Sequence, residues 1–288
     1  AMMPLLDAPA RQYIVISPLI VAACTFPTHD RPYHEHFLFA IMCSMAISGN
    51  RRERPLTGTM VDAVYSSPVF GRTYPMKNVL CFGDSNTFGT NPAKPGTRHP
   101  FDVRWTGRLA SSLGDGWRVI EEGMGGRTSV FDNPLEPHRS GLEALPIVLQ
   151  SHRPLDYAVV MLGTNDLKEI FNASPRTIAA GAEMVAQTIS DYDYVGCGPA
   201  PKILFVSPIH IKLGISRSPY VGFAEDAVER SHELSHWYRE AAERNGWLFF
   251  DASTVSEPSD LDKLHMDAES HARLADAIAD VLLADNER

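Results

Sequence analysis

The amino-acid sequence predicts an α/β fold in which one five-stranded parallel sheet lies between two layers of helices. Three observations predict it. From Met76 onward, short apolar runs alternate with segments of helical period. The runs are apolar at successive positions, as parallel strands buried on both faces are. Each interval between runs is long enough for a right-handed crossover helix.

The five predicted strands are runs of four to six residues in this part of the chain. Each is rich in aliphatic or aromatic side chains, and their positions are 78–82, 117–120, 157–162, 203–206 and 247–250. With helices between them, these strands predict a doubly wound, flavodoxin-like sheet.

Helical period is clearest in the second half of the chain. Ile178, Ala182, Val185 and Ile189 recur at intervals of four, three and four residues, behind a Ser174-Pro175 start signal. A second helix is predicted over 223–245, ending at Gly246, and a last one over about 267–284.

The first 75 residues show no convincing period. We therefore divide the chain into an N-terminal extension, 1–75, of unassigned role and a domain over 76–288. The extension is either an upstream segment ahead of a natural start at Met76 or an accessory segment that covers the domain or an oligomer interface. The two interpretations stay open at this stage.

Composition and charge exclude several classes of protein. The net charge of -9 argues against a nucleic-acid partner, which calls for a basic surface. The four cysteines are scattered without a C-x-x-C pair, which favours neither a zinc site nor a dense disulfide framework. No apolar run is long enough to span a bilayer. We expect a cytoplasmic protein; because 13–24 resembles a short signal or lipoprotein segment, export or lipid anchoring is the alternative.

Polar residues follow the first and third predicted strands, at what would be the same edge of the sheet. Gly83-Asp84-Ser85 ends the first strand, and Gly163-Thr164-Asn165-Asp166 follows the third. A serine here would stand at the carboxyl edge, where α/β sheets bind ligands. Asn165 offers an amide donor of the kind that stabilises an oxyanion. The alternative is that these residues only cap helices and form turns.

Two further loops belong to the same edge. Glycines 123, 125 and 126 follow the second strand, where they permit close approach of backbone to a ligand or merely form a turn. Asp262 and His265 follow the fifth strand, spaced so that the carboxylate can orient the imidazole. A chance surface pair or a metal site is the alternative, although Asp267 and His271 complete no familiar ligand spacing. His271 is a helix-face residue or a substitute base.

Taken in order, these four blocks resemble the SGNH (GDSL-type) hydrolases, and the phrases around them are most similar to the bacterial arylesterase/acyltransferase branch. The shared phrases are CFGDS at 81–85, DVRWTG at 102–107, VIEEG at 119–123, MLGTND at 161–166 and KILFVSP at 202–208. The resemblance covers about 77–281. The chain departs from it at Asn86, where Leu or Ile is more usual, and in residues 1–75, which have no counterpart.

The resemblance implies a serine esterase that acts on short acyl or aryl esters, with possible transfer to alcohols. It implies Ser85 as nucleophile, His265 as base and Asp262 as the partner that orients it. It also implies an oxyanion hole formed by the Ser85 N–H, the Gly126 N–H and the Asn165 side chain.

The same resemblance implies no metal and no organic cofactor, a small-molecule ester as the partner, and a homo-oligomer as a possibility. Phe88, Trp105 and the loop 209–220, starting at Ile209, are candidate walls of the acyl pocket, with core packing as the alternative.

Two rival functions remain at this stage. One is a carbohydrate acetyl esterase or a lysophospholipase/thioesterase, which uses the same chemistry on another ester. The other is a non-catalytic flavodoxin-like module that binds phosphate. Asp84, Asp166 and Asp262 argue against the second, because carboxylates repel phosphate.

Overall fold

The structure is a computed structural model and describes residues 76–287. The N-terminal extension predicted from the sequence lies outside these residues, so the division at Met76 stays a prediction.

Five parallel strands form the central sheet. They are β1 (Lys77–Gly83), β2 (Trp117–Gly123), β3 (Tyr157–Met161), β4 (Lys202–Ser207) and β5 (Leu248–Asp251), in the spatial order β2-β1-β3-β4-β5. Gly83 pairs in register with Gly123 on one side and with Met161 on the other. The carboxyl ends of the first three strands therefore meet at one edge.

Six α-helices connect and flank the strands within the described residues. They are α1 (Ser85–Phe88), α2 (Trp105–Leu113), α3 (Gly141–His152), α4 (Pro175–Asp191), α5 (Ala227–Asn245) and α6 (Ala268–Asn286). Helix α4 begins as its sequence predicts, since the Ser174 hydroxyl accepts a hydrogen bond from the Thr177 N–H at 3.2 Å. Helix α5 ends at Gly246, whose φ of +68° favours glycine.

Alternate residues of β1 point into two separate apolar clusters, one on each face of the sheet. Leu80 and Phe82 pack with α3, α4 and α5, whereas Val79 and Cys81 pack with α2 and α6. These two layers confirm the predicted flavodoxin-like α/β/α fold with a five-stranded parallel sheet. Among the helices of residues 76–287, none combines the length and apolar character that crossing a membrane requires.

Candidate active site

Ser85 lies at the point where β1 turns into α1. It is the first residue of the helix, and the carboxylate of Asp84 caps the turn by accepting the Asn86 N–H at 2.9 Å. A Cβ on Gly83 would lie 2.1 Å from the Thr87 hydroxyl oxygen and 2.8 Å from the Met161 carbonyl oxygen. Only glycine fits this turn, which places the Ser85 hydroxyl at the carboxyl edge of the sheet.

The imidazole of His265 lies beside that hydroxyl. Its Nε2 is 2.9 Å from the Ser85 Oγ, and its Nδ1 is 2.8 Å from the Asp262 Oδ2. The other oxygen of Asp262 accepts the backbone N–H groups of Leu264 and His265, at 3.0 and 2.9 Å. A hydroxyl, an imidazole and a carboxylate thus form one hydrogen-bonded chain, with each of the three residues less than 10% exposed.

This chain of contacts also sets the charge of the carboxylate. Burial by itself would raise the pKa of Asp262, but hydrogen bonds from the His265 ring and from two backbone N–H groups outweigh it. The pKa of Asp262 therefore lies below its usual range, and the group is an anion at neutral pH. An anion that holds Nδ1–H leaves Nε2 free to accept the serine proton.

Besides the Ser85 N–H, the candidate oxyanion donors are the Gly126 N–H and the Asn165 side chain. They lie on two loops that a hydrogen bond joins. Gly126 has φ +75°, in the region that favours glycine. The Asn165 side-chain nitrogen donates to the Arg127 carbonyl oxygen at 3.1 Å, so it lies next to the Arg127–Thr128 peptide, one residue after Gly126. That bond uses one of its two protons, and the other remains for a ligand.

Arg127 is a functional candidate that the sequence reasoning did not single out. Its guanidinium donates to the carbonyl oxygens of Gly83, at 2.9 Å, and of Glu122, and it stacks over the ring of Phe82. Burial lowers its pKa to about 10. Arg127 therefore ties the loop of Gly126 to the strand end that carries Ser85.

Asp166 and Ser129 form a second contact between separate loops at this edge of the sheet. Both carboxylate oxygens of Asp166 accept the Ser129 N–H at 3.0 Å, and the Ser129 hydroxyl donates to the same group. Burial raises the pKa of Asp166 to about 7, against the lowering effect of these bonds, and the nearby Asp84 raises it further. Its place in the GTND block was visible in the sequence, but its partner 37 residues away was not.

The predicted pocket walls divide into two groups. Trp105 and Ile209 are 0% and 2% exposed and belong to the apolar core between the sheet and α2 and α6. These two side chains therefore pack in the core, which was the alternative to a role as pocket walls. Phe88 is half-buried under the guanidinium of Arg98. In the loop 209–220, the ring of Tyr220 lies against the ring of His265.

Within residues 76–287, His271 makes no hydrogen bond to Ser85. Its Nδ1 accepts the Trp105 N–H at 3.3 Å, and its ring meets His99 edge-on. Burial lowers its pKa to about 3, so it is a neutral histidine on α6 that faces the start of α2. Residues 76–287 contain no group of three or more His, Cys, Asp or Glu side chains suited to holding a metal ion.

With this geometry established, comparison with known proteins gives a consistent result. Residues 81–273 match the model of the GDSL-like Lipase/Acylhydrolase family. A comparison with curated proteins found no match to this chain.

Among solved structures, a carbohydrate acetylesterase from Sinorhizobium meliloti is 37% identical with a TM-score of 0.68, over 72% of this chain and 99% of its own. An aryl esterase from M. smegmatis is 36% identical with the same TM-score and the same two coverages. Another carbohydrate acetylesterase family member from Sinorhizobium meliloti is 34% identical with a TM-score of 0.69, over 73% of this chain and 98% of its own.

Proposed function

The chain belongs to the GDSL-like lipase/acylhydrolase family, and from that premise we propose that it is a serine esterase that cleaves short-chain acyl esters through an acyl-Ser85 intermediate. One observation carries the proposal. The Ser85 hydroxyl, the His265 imidazole and the Asp262 carboxylate form a continuous hydrogen-bonded chain, with contacts of 2.9 and 2.8 Å.

In the first half of the reaction, Ser85 Oγ attacks the ester carbonyl carbon while His265 Nε2 takes the hydroxyl proton. Asp262 holds the ring in the orientation this needs and stabilises the imidazolium that forms. The negative charge on the carbonyl oxygen is held by the N–H groups of Ser85 and Gly126 and by the Asn165 amide. His265 then gives its proton to the leaving alcohol, and the acyl group stays on Ser85.

In the second half, water replaces the alcohol. His265 takes one of its protons, the oxygen attacks the acyl carbon, and the carboxylic acid leaves as Ser85 regains its proton. An alcohol that enters in place of water yields a new ester by the same steps. Acyl transfer and assembly into a homo-oligomer are further parts of this proposal.

Short acyl groups are favoured because the solved relatives are named for acetylesterase and aryl esterase activity. We propose aryl and carbohydrate acetates as the two substrate classes to compare. Hydrolysis of 4-nitrophenyl acetate, butyrate and octanoate, alongside acetylated xylose, would separate them. A preference for octanoate would instead favour the lysophospholipase/thioesterase alternative.

The central test is covalent labelling by a fluorophosphonate, which reacts with an activated serine hydroxyl. The unaltered protein should be labelled and should hydrolyse 4-nitrophenyl acetate, and the Ser85→Ala variant should do neither. Ser111→Ala, which changes an exposed serine on α2 whose hydroxyl donates to the Gly107 carbonyl oxygen, is the control and should leave both intact. Labelling that persists in Ser85→Ala would overturn the proposal.

A further inference from the structure

Asn86, the residue after Ser85, reaches across to the backbone on both sides of His265. Its Nδ2 donates to the Leu264 carbonyl oxygen at 3.3 Å, and its Oδ1 accepts the Met266 N–H at 3.0 Å. The helix that carries the hydroxyl and the loop that carries the imidazole are therefore joined by one side chain. Asn86 and Met266 are 180 positions apart in the chain.

Both ends of the buried amide make a hydrogen bond in this position. Asn86 is 2% exposed, and its own N–H is held by the Asp84 carboxylate at 2.9 Å. The two backbone groups that it meets are one acceptor and one donor, and a side-chain amide offers both complements at once. A leucine here would leave the Leu264 carbonyl and the Met266 N–H without these partners in a buried place, which costs free energy.

The location of the two bonds matters more than their number. The His265 ring contacts Asp262 on one side and Ser85 on the other, and the Asp262 carboxylate also holds the His265 N–H. The hydrogen bonds of the Asp262 carboxylate come from its own four-residue turn. Besides the His265–Ser85 contact itself, the Asn86 side chain links that turn to the helix of Ser85.

The geometry points to Asn86 as a positioning residue for the base, one that sets the distance between His265 Nε2 and Ser85 Oγ by clamping the backbone around His265. This inference rests on the proposed function for its kinetic consequence. It also gives a physical meaning to the departure noted in the sequence, where Leu or Ile is more usual. In this chain the residue after the serine is an amide that makes two hydrogen bonds to the backbone around His265.

Proton transfer requires the base within hydrogen-bond reach of the hydroxyl. A displacement of about 1 Å can cost roughly 100-fold in rate. We therefore expect Asn86→Leu to lower kcat for 4-nitrophenyl acetate by about 10- to 100-fold. KM should stay within about twofold, because the amide reaches no surface that a substrate could touch. The rate of fluorophosphonate labelling should fall in parallel with kcat.

Asn86→Asp supplies a second test, which does not depend on the result for Asn86→Leu. A protonated Asp has the shape of Asn and one donor besides its acceptor, whereas an ionised Asp has acceptors only and faces the Leu264 carbonyl oxygen. The ratio of its kcat to that of the unaltered protein at the same pH should therefore rise as pH falls from 8 to 5.5. A ratio that does not change with pH would contradict the clamp.

Asn245→Leu is the matched control. The Asn245 side chain likewise makes two hydrogen bonds, at the far end of α5, but it donates both, to the Glu183 carboxylate at 2.7 Å and to the Ala241 carbonyl oxygen at 2.9 Å. It should lower the urea midpoint of unfolding and leave kcat unchanged. A folded Asn86→Leu protein with the kcat of Asn245→Leu would overturn the inference.

A spectroscopic measurement separates failure of the inference from failure of the proposed function. The ¹⁵N chemical shift of His265 Nε2 reports its hydrogen bond to the Ser85 hydroxyl and should change in Ser85→Ala. The clamp predicts that Asn86→Leu moves this shift toward its value in Ser85→Ala, even if no tested ester is hydrolysed. An unchanged shift in Asn86→Leu would reject the clamp, whereas absent labelling of the unaltered protein would reject the esterase proposal.

Discussion

The ring of Tyr220 packs edge-on against the imidazole of His265, with 4.6 Å between the ring centroids and 71° between the planes. Tyr220 belongs to the connection between β4 and α5, so a loop outside the four sequence blocks also contacts the base. Burial raises the pKa of the Tyr220 hydroxyl and the Asp262 charge adds to this, so the ring stays neutral. Tyr220 therefore covers one side of His265 without competing for its protons.

We expect Tyr220→Ala to lower kcat/KM for 4-nitrophenyl acetate about fivefold, since an aromatic contact contributes about 1 kcal/mol. Tyr220→Phe keeps the ring and should retain most of the activity. Steady-state kinetics of the two variants, at a temperature where both are folded, measure the difference. Equal losses in both would show that the hydroxyl, and not the ring contact, matters.

Asp262→Asn should reduce kcat by about 10,000-fold, because an amide no longer fixes the tautomer in which Nε2 accepts the serine proton. Asp260→Asn is the control, since that carboxylate lies on the same loop but pairs with the Lys212 and Lys263 ammonium groups at the surface. Burst and steady-state measurements with 4-nitrophenyl acetate would check both. An Asp262→Asn protein within tenfold of the unaltered enzyme would remove the carboxylate from the mechanism.

The raised pKa of Asp166 predicts a pH dependence of folding stability. Its ordinary pKa is 3.8 and its folded pKa is about 7. Between these values the folded state holds a proton that the unfolded state has released. The protonated Asp166 carboxyl therefore contributes to the free energy of unfolding. This contribution is fully present below about pH 4 and is lost as pH rises through about 7.

The test is urea unfolding of the unaltered protein and of Asp166→Asn at pH 5, 6, 7 and 8. From pH 5 to 7 the free energy of unfolding of the unaltered protein should fall relative to the variant, by at most about 1.4 kcal/mol per pH unit. Asp276→Asn, at an exposed site on α6, should show no such trend. Parallel pH curves for Asp166→Asn and the unaltered protein would contradict the prediction.

Lys263 lies between Asp262 and the base with φ +67°, in the region that side chains other than glycine rarely adopt. Its carbonyl oxygen accepts the Lys212 N–H at 3.0 Å, which holds the turn in that conformation. Lys263→Gly should raise the free energy of unfolding by about 1 kcal/mol and leave kcat unchanged.

Lys263→Val should do the opposite, lowering the free energy of unfolding by about 1–3 kcal/mol, because a β-branched residue fits this conformation worst. Lys94→Gly, in an exposed turn without a positive φ, is the control and should give no stabilisation. Thermal unfolding of each variant tests the predicted changes in stability, and its hydrolysis rate tests whether kcat is unchanged. A stabilising Lys263→Val would mean that the turn is not strained.

The sequence predicts much of this arrangement because its strongest signals are local. Apolar runs identified five strands, although β2 extends to Gly123 and β4 starts at Lys202. Helices α2 and α3 were not predicted. The start of α2 lies inside the phrase 102–107, which served only to show the family resemblance. Helix α3 contains Pro146, and proline usually interrupts a helix.

Within the candidate site, Asp262 and His265 are neighbours in sequence, so their contact is a property of one turn. The contacts of Asn86 with the His265 loop, of Asp166 with Ser129 and of Tyr220 with His265 join distant parts of the chain. No spacing rule connects such pairs, because their distance depends on how the loops fold over the sheet edge. Trp105 shows the converse, since this aromatic residue lies inside the family phrase 102–107 and packs in the apolar core, the alternative that the sequence left open.

His265, the proposed base, comes 180 residues after Ser85, the proposed nucleophile. It lies immediately before α6, the helix that packs with α2 on one face of the sheet. During synthesis the hydroxyl therefore leaves the ribosome long before its imidazole does. A nascent or truncated chain that stops short of residue 265 carries Ser85 without the imidazole that lies beside it in the folded domain. Under the proposed function, the chain can therefore cleave an ester only after its last segment has been made and has docked on the sheet.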